Sequence, residues 1–195
     1  MDQTDEQLIL DFQNTDNTHA LETLFSRYKS SIFNFCYRLL QNRADAEDTT
    51  ADVFITLFAK KYALRPNAKF STWLYTVAKN NCFNKLRKKK RMTSFFYKNK
   101  KAGGYDSWDP PATNALPTED AKRQEEADLV RQAVNNLPPN MKEAIILREY
   151  QKLSYNQIAE ILDCSLDNVK VIIFRARARL RSALAQLLEE DHDET

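Results

Sequence analysis

Leu153-Ser154-Tyr155-Asn156-Gln157-Ile158-Ala159-Glu160-Ile161-Leu162-Asp163-Cys164-Ser165-Leu166-Asp167-Asn168-Val169-Lys170 is the most strongly punctuated stretch of the chain. Ser154 and Gln157 stand at the N-cap and N3 positions of a capping box, where each side chain satisfies a backbone amide at the helix start. Leu153 and Ile158 fit the hydrophobic staple that fixes the entry of the chain. Ile158, Ala159, Ile161 and Leu162 carry the first helix, and Asp163-Cys164-Ser165 breaks it. Ser165 caps a longer second helix reading to about Leu188, with Cys164 and Val169 as a second staple. Two capped helices joined by a tight break are the signature of a helix-turn-helix. At about 100° per residue, Val169, Ile173, Ala176, Leu180 and Leu184 form one buried stripe on the second helix. The opposite face carries Asp167, Lys170, Val171, Phe174, Arg175 and Ala178, with Ile172 on its flank. Arg177, Arg179 and Arg181 add positive charge further on. Cations suit phosphates, and Val171 or Phe174 suits thymine methyls in a major groove. A solvated charged face is the plainer reading of such a surface; the paired caps and the break favour contact with DNA.

Upstream of this motif, Leu129, Ala133, Val134 and Leu137 mark one helix, ended by Pro138-Pro139. Met141, Ala144, Ile145 and Leu147 mark another. Residues 92–125 hold both glycines and three of the six prolines of the chain, without a helical period. They read as a partly disordered tether. As a flexible coil this segment spans roughly 30–35 Å on average, and fully extended roughly 110–120 Å. Before it, Leu21, Leu24, Phe25, Tyr28, Ile32, Phe35, Cys36 and Leu39 recur at spacings of three and four, so they share one face of a long helix. Asn42 offers the N-cap of the next, with Asp45, Glu47 and Asp48 in its first turns, where carboxylates favour the positive helix end. Val53, Phe54, Leu57 and Phe58 give it an apolar stripe. Arg65-Pro66-Asn67 signals a turn. A further helix starts at about Ser71, with Trp73, Leu74, Val77 and Ala78 inward and Tyr75 as the surface aromatic. It is expected to run on through residues 79–91, which contain seven basic residues and no acid. Aromatic side chains beside a basic strip suit single-strand binding, where bases stack and phosphates pair.

With only two glycines, adjacent at Gly103 and Gly104, the chain lacks the turns of a β-rich protein and the phosphate loop of a nucleotide-binding enzyme. The fold class expected is all-α, two small helical domains joined by a flexible linker. The three cysteines, Cys36, Cys82 and Cys164, fit no metal spacing and read as buried reduced thiols. Asp45, Glu47 and Asp48 have no catalytic base, nucleophile or phosphate loop beside them. No catalytic residue, metal or cofactor is therefore expected. The longest apolar runs fall far short of the roughly 20 residues a membrane span needs, and the acidic, polar start is unlike a secretory signal. A cytoplasmic, non-enzymatic protein is expected.

Asp45-Ala46-Glu47-Asp48 with Val53-Phe54, the run from Phe70 to Asn80, and Leu86-Arg87-Lys88 resemble region 2 of the extracytoplasmic-function (ECF) sigma factors of bacterial RNA polymerase, within the sigma-70 superfamily. Leu137-Pro138, the run Ile158-Ala159-Glu160-Ile161-Leu162, Val169-Lys170 and Arg175-Ala176-Arg177 resemble their region 4. The resemblance implies region 2 over residues 1–91, a linker over 92–125 and region 4 over 126–195. It implies that Asp45, Glu47, Asp48, Asp52 and Phe54 bind the core polymerase, acids meeting a basic partner. It implies that Arg65, Asn67, Lys69, Trp73, Tyr75, Asn80, Lys85, Arg87, Lys88 and Arg91 handle the −10 element, one flipped base being captured near residues 65–69. Asn168, Lys170, Val171, Phe174, Arg175 and Arg177 would read the −35 element. The partners implied are core RNA polymerase through its beta and beta-prime subunits, promoter DNA, and an anti-sigma factor that clamps both regions, with no small-molecule substrate.

The sequence departs from the family pattern at several places. Ala51-Asp52 stand where Gln-Glu is usual, and Asn84 where Asp is frequent. The second helix of the motif reads Asn168-Val169-Lys170-Val171-Ile172-Ile173 where Thr-Val-Lys-Ser-Arg-Leu is common, so a hydroxyl and a cation give way to two aliphatics. Either the promoter is unusual, or an auxiliary DNA-bound protein recruits the chain through an apolar patch at Val171, Ile172 and Phe174. A stand-alone helix-turn-helix regulator is the alternative. It would carry a sensor or an α/β receiver at its N-terminus, and residues 21–91 have neither the strands nor the glycines of a receiver.

Overall fold

The structure, a computed structural model, describes residues 3–60, 62, 69–99 and 119–193. All regular structure among them is helical. The chain opens with a helix that the periodicity above passed over, α1 (Asp5–Thr15), although its start carries the same signal as Ser154. The Thr4 hydroxyl accepts from the Gln7 amide at 3.2 Å, and the Gln7 side chain accepts from the Thr4 amide at 2.9 Å. Leu8, Ile9 and Phe12 of α1 are buried, and Asp5 holds the helix down by accepting from Arg27 at 2.8 Å and Tyr28 at 2.5 Å.

Next come α2 (Thr18–Leu40), α3 (Arg43–Ala59) and α4 (Phe70–Asn99). Asn42 caps α3 as expected, its side-chain oxygen accepting from the Asp45 amide at 2.9 Å. α2 packs on α1, α3 and α4, and α4 closes on α3. The apolar faces that period 3.6 places inward meet there: Leu24, Ile32, Phe35 and Cys36 of α2, Val53 and Leu57 of α3, and Phe70, Leu74 and Ala78 of α4 are sealed from solvent. Each fully buried large side chain of this kind contributes about 1.5–3 kcal/mol. Edge-on ring pairs, Phe35 with Tyr75 at 5.4 Å and Tyr28 with Phe70 at 5.3 Å, lock α2 to α4.

The second unit comprises α5 (Glu119–Asn135), α6 (Pro139–Ile145), a π-helical turn over Ile146–Tyr150, α7 (Tyr155–Leu162) and α8 (Leu166–Asp193). α8 packs on α5, α6 and α7. Both caps of the motif form: Ser154 with Gln157 as a full capping box, and the Ser165 hydroxyl accepting from the Asn168 amide at 3.2 Å. Asp163 ends α7 with φ 52°, and Asp16, Gln41 and Lys152 also take positive φ. With both glycines spent at 103–104, these left-handed positions fall to residues with a Cβ, at a cost of roughly 1–2 kcal/mol each.

Three expectations need correction. α4 runs to Asn99 and α5 begins at Glu119, so helix occupies both ends of the expected tether; its middle, 100–118, lies outside the described residues, as do Arg65 and Asn67. Tyr75, expected at the surface, is 3% exposed, because the second unit covers it. Phe54, assigned to polymerase contact, is 8% exposed and packs edge-on against Phe25 at 4.7 Å, so it is a core residue of the α2–α3 pair.

Candidate protein and nucleic-acid interfaces

The acids of α3 divide by face. Glu47 and Asp52 are exposed, and Glu47 accepts from the Arg43 guanidinium one turn back at 2.9 Å. Asp45, half-buried, and Asp48, itself exposed, reach toward α4, where Lys85 Nζ lies 3.1 Å from Asp45 and 3.2 Å from Asp48. Lys89 Nζ is 3.7 Å from Asp45. Desolvation alone lowers the Lys85 pKa, but the hydrogen bonds to Asp45 and Asp48 outweigh it and the pKa is raised. The acids expected to meet a protein and the cations expected to meet DNA thus share one edge.

Farther along α3 the outer face turns apolar: Ile55 is 64% and Phe58 61% exposed, with Tyr62 exposed beyond the helix end. Asp48, Asp52, Ile55 and Phe58 recur at spacings of four and three, so they lie on one stripe. Phe58 touches only the edge of the core, its ring 6.0 Å from that of Phe12. The sequence places Phe54 and Phe58 in one apolar stripe; of the two, Phe54 is buried and Phe58 exposed, and the acidic positions at 48 and 52 are the available signal for which face looks outward. Beside this stripe, α2 and α3 leave a groove of about 550 Å³ lined by Phe25, Phe33, Arg43, Glu47 and Ala51 among others.

Lys69, just before α4, and Asn80, Arg87, Lys88 and Arg91 on it are exposed, Arg87 donating to the Asn84 side chain at 2.9 Å. Trp73 is half-buried against the core, as its period predicts. The exposed cations therefore follow one after another down the second half of α4, while the aromatic side chains at its start are covered.

On α8 the expected stripe is found: Val169, Ile173 and Ala176 are buried and Leu180 packs beside them. Asn168, Lys170, Val171, Phe174, Arg175 and Arg177 all face solvent. Phe174 is 74% exposed. Lys170 pairs with Asp167 at 2.9 Å. Arg177 is held by Glu149 at 2.6 Å, and that hydrogen bond raises its pKa. This face combines fixed cations with bare apolar side chains, a combination that can take both phosphates and base edges.

Residues 24–92 match the family model of sigma-70 region 2, and residues 127–180 that of sigma-70 region 4. Among curated proteins, the ECF RNA polymerase sigma factor SigW of Bacillus subtilis (strain 168) is 32% identical over 172 residues, covering 86% of this chain and 90% of that protein. The ECF RNA polymerase sigma-E factor of Haemophilus influenzae is 31% identical over 186 residues, covering 95% and 97%. In fold, the chain is similar to the sigma factor RpoE of Bartonella quintana, solved with the anti-sigma factor NepR (TM-score 0.64, 23% identity, 84% of this chain and 96% of that one). It is also similar to CnrH, solved with the cytosolic domain of CnrY (TM-score 0.68, 20% identity, 93% and 97%). A region 2 match, a region 4 match in that order, and relatives aligned over nearly their full length leave one assignment: the chain belongs to the ECF sigma factors of the sigma-70 family and acts in transcription initiation.

Proposed function

We propose that residues 1–91 form a region 2 that docks on core RNA polymerase and holds the −10 strand, that 92–125 link it to region 4, and that 126–195 dock on upstream DNA. The observation that carries this reading is the shared edge of α3 and α4, where Asp45 and Asp48 meet Lys85. Glu47, Asp48 and Asp52, with Ile55 and Phe58 in place of Phe54, offer the polymerase an acidic and apolar stripe. Lys69, Asn80, Lys85, Arg87, Lys88 and Arg91 give the nontemplate strand a run of cations and a polar amide, and Trp73 and Tyr75 give it aromatic side chains once they are uncovered. Arg65 and Asn67 complete this surface as the resemblance implies. On α8, Asn168, Lys170, Arg175 and Arg177 address phosphates and base edges, and Val171 and Phe174 address thymine methyls.

In this role the chain works in the cytoplasm, without catalysis, with the beta and beta-prime subunits and promoter DNA as its partners. An anti-sigma factor restrains it, a reading supported by the similar sigma factor RpoE having been solved with the anti-sigma factor NepR. The exposure of Phe174 favours one variation: a DNA-bound protein seated on Val171, Ile172 and Phe174 recruits region 4.

Run-off transcription from a genomic fragment library, with core polymerase of the same organism, tests the reading. Promoter-specific transcripts that need the chain are expected, and their aligned starts will reveal any −35 element. Core that does not bind the chain refutes the reading. Val171→Asp separates the two roles of α8: it should weaken every promoter under the recruitment variation, and only thymine-bearing −35 sites under direct readout.

A further inference from the structure

The run from Glu143 to Leu147 is buried throughout, and the π-helical turn over Ile146–Tyr150 then sends three successive side chains to three different neighbours. The Gln151 amide closes the turn on the carbonyl of Ile146 at 3.2 Å. Arg148 donates to the carbonyl of Leu153 at 2.8 Å and lies over the Tyr155 ring at 4.9 Å. Tyr150 carries the Arg38 guanidinium on its ring at 3.6 Å. Glu149 takes Arg177 of α8, whose Nε at 3.2 Å and Nη2 at 2.6 Å both donate to Glu149 Oε1. Short π-helical turns are frequent at functional sites.

Affinity for DNA alone does not call for this contact. An acid beside Arg177 subtracts from the positive charge that phosphates seek. With both side chains about half exposed, the pair also adds little to stability. What Glu149 supplies is order. A guanidinium carries five N–H donors in a rigid fork. Glu149 occupies two of them, and the Tyr155 hydroxyl is a further, weaker partner. The donors left over can form two parallel hydrogen bonds, to a phosphate or to O6 and N7 of a guanine. A side chain already held in place loses less conformational freedom when it binds.

We propose that Glu149 is a positioning residue for DNA reading: it fixes the Arg177 fork at one place in the −35 element, so that sequence discrimination there is gained while indiscriminate phosphate binding is reduced. The proposal rests on the reading of α8 as the −35 helix.

The test uses full-length Glu149→Gln and Glu149→Ala chains. Gln keeps an oxygen acceptor and loses the charge; Ala loses both. Each is assembled with core polymerase on a promoter library randomised over the −35 element, and the transcripts are sequenced. The Ala chain should lose about fivefold or more of its discrimination at one or two neighbouring base pairs and keep the rest of the profile. The Gln chain should keep most of that discrimination. Without polymerase, both should bind a random-sequence duplex more tightly than the parent, with a salt slope steeper by up to about one unit, as for one more cation released to phosphate. A merely structural role would instead lower the unfolding midpoint and weaken all −35 sequences alike, and that result overturns the proposal. So does an unchanged profile in the Ala chain. Arg177→Ala separates this idea from the reading beneath it. If Arg177→Ala alters the profile and Glu149→Ala does not, the proposal alone falls. If Arg177→Ala changes neither profile nor duplex binding, or the parent shows no preference over the −35 positions, direct readout by α8 falls with it. The double variant should be no worse than Arg177→Ala alone, since Glu149 acts only through Arg177; an additive loss overturns the proposal.

Discussion

Glu143 is the residue whose chemistry is least at ease. It is 6% exposed, and burial raises its pKa from the usual 4.5 to about 7, with Lys79 pulling the other way. Because the folded pKa is the higher one, the folded chain holds more protons than the unfolded chain between these values. Stability therefore falls as pH rises from about 4.5 to about 7, and stays at the lower level above that. The full shift corresponds to at most about 3 kcal/mol. Glu143→Gln removes the ionisable group and keeps the shape. Urea unfolding should find the variant about 1–3 kcal/mol more stable than the parent at pH 8, with the gap nearly closed at pH 5. A gap that does not grow with pH would show that Glu143 is solvated after all. Tyr75 makes the complementary point. Burial pushes its pKa up to about 12, so its hydroxyl stays protonated and available to Gln151 throughout the physiological range. Which aromatic side chain of α4 lies at the surface could not be read from local spacing, since the group that covers Tyr75 lies 76 residues away.

At the level of helices, the caps were the most legible feature. Asn42, Ser154 and Ser165 all act as the sequence predicts, because a cap involves residues three apart and needs no tertiary support. Thr4 and Gln7 carry the same signal for α1, whose apolar face holds only Leu8, Ile9 and Phe12. Ser154→Ala should destabilise the chain by about 1 kcal/mol in thermal or urea unfolding. α3 shows where periodicity runs out. Phe54 and Phe58 are both apolar and one turn apart, so either can face inward; α2 decides by placing Phe25 against Phe54. Exposed aromatic and aliphatic anchors of an interface often cost more than 1 kcal/mol when truncated. Ile55→Ser, at a side chain 64% exposed, should therefore weaken binding to core polymerase by about fivefold or more, read by titration with labelled core, and leave the unfolding midpoint near that of the parent. Unchanged affinity would move the docking surface off this stripe.

Over the whole molecule, two helical units are joined through one apolar cluster. The all-helical class, the order of the units, the helix-turn-helix and the basic strip of α4 were determined by the sequence itself, for a common reason. Helix period, caps, glycine scarcity and charge runs are properties of residues within a few positions of one another. The tertiary structure alone decided which faces remain open. Lys79 meets the carbonyl of Ile161 from 82 residues away, and Asn135 meets Gln41 from 94. Tyr75 is hidden, Phe58 is bare and Glu143 is stranded because distant helices pack where they do. Burial by a remote surface depends on how the units meet, and no local pattern encodes that.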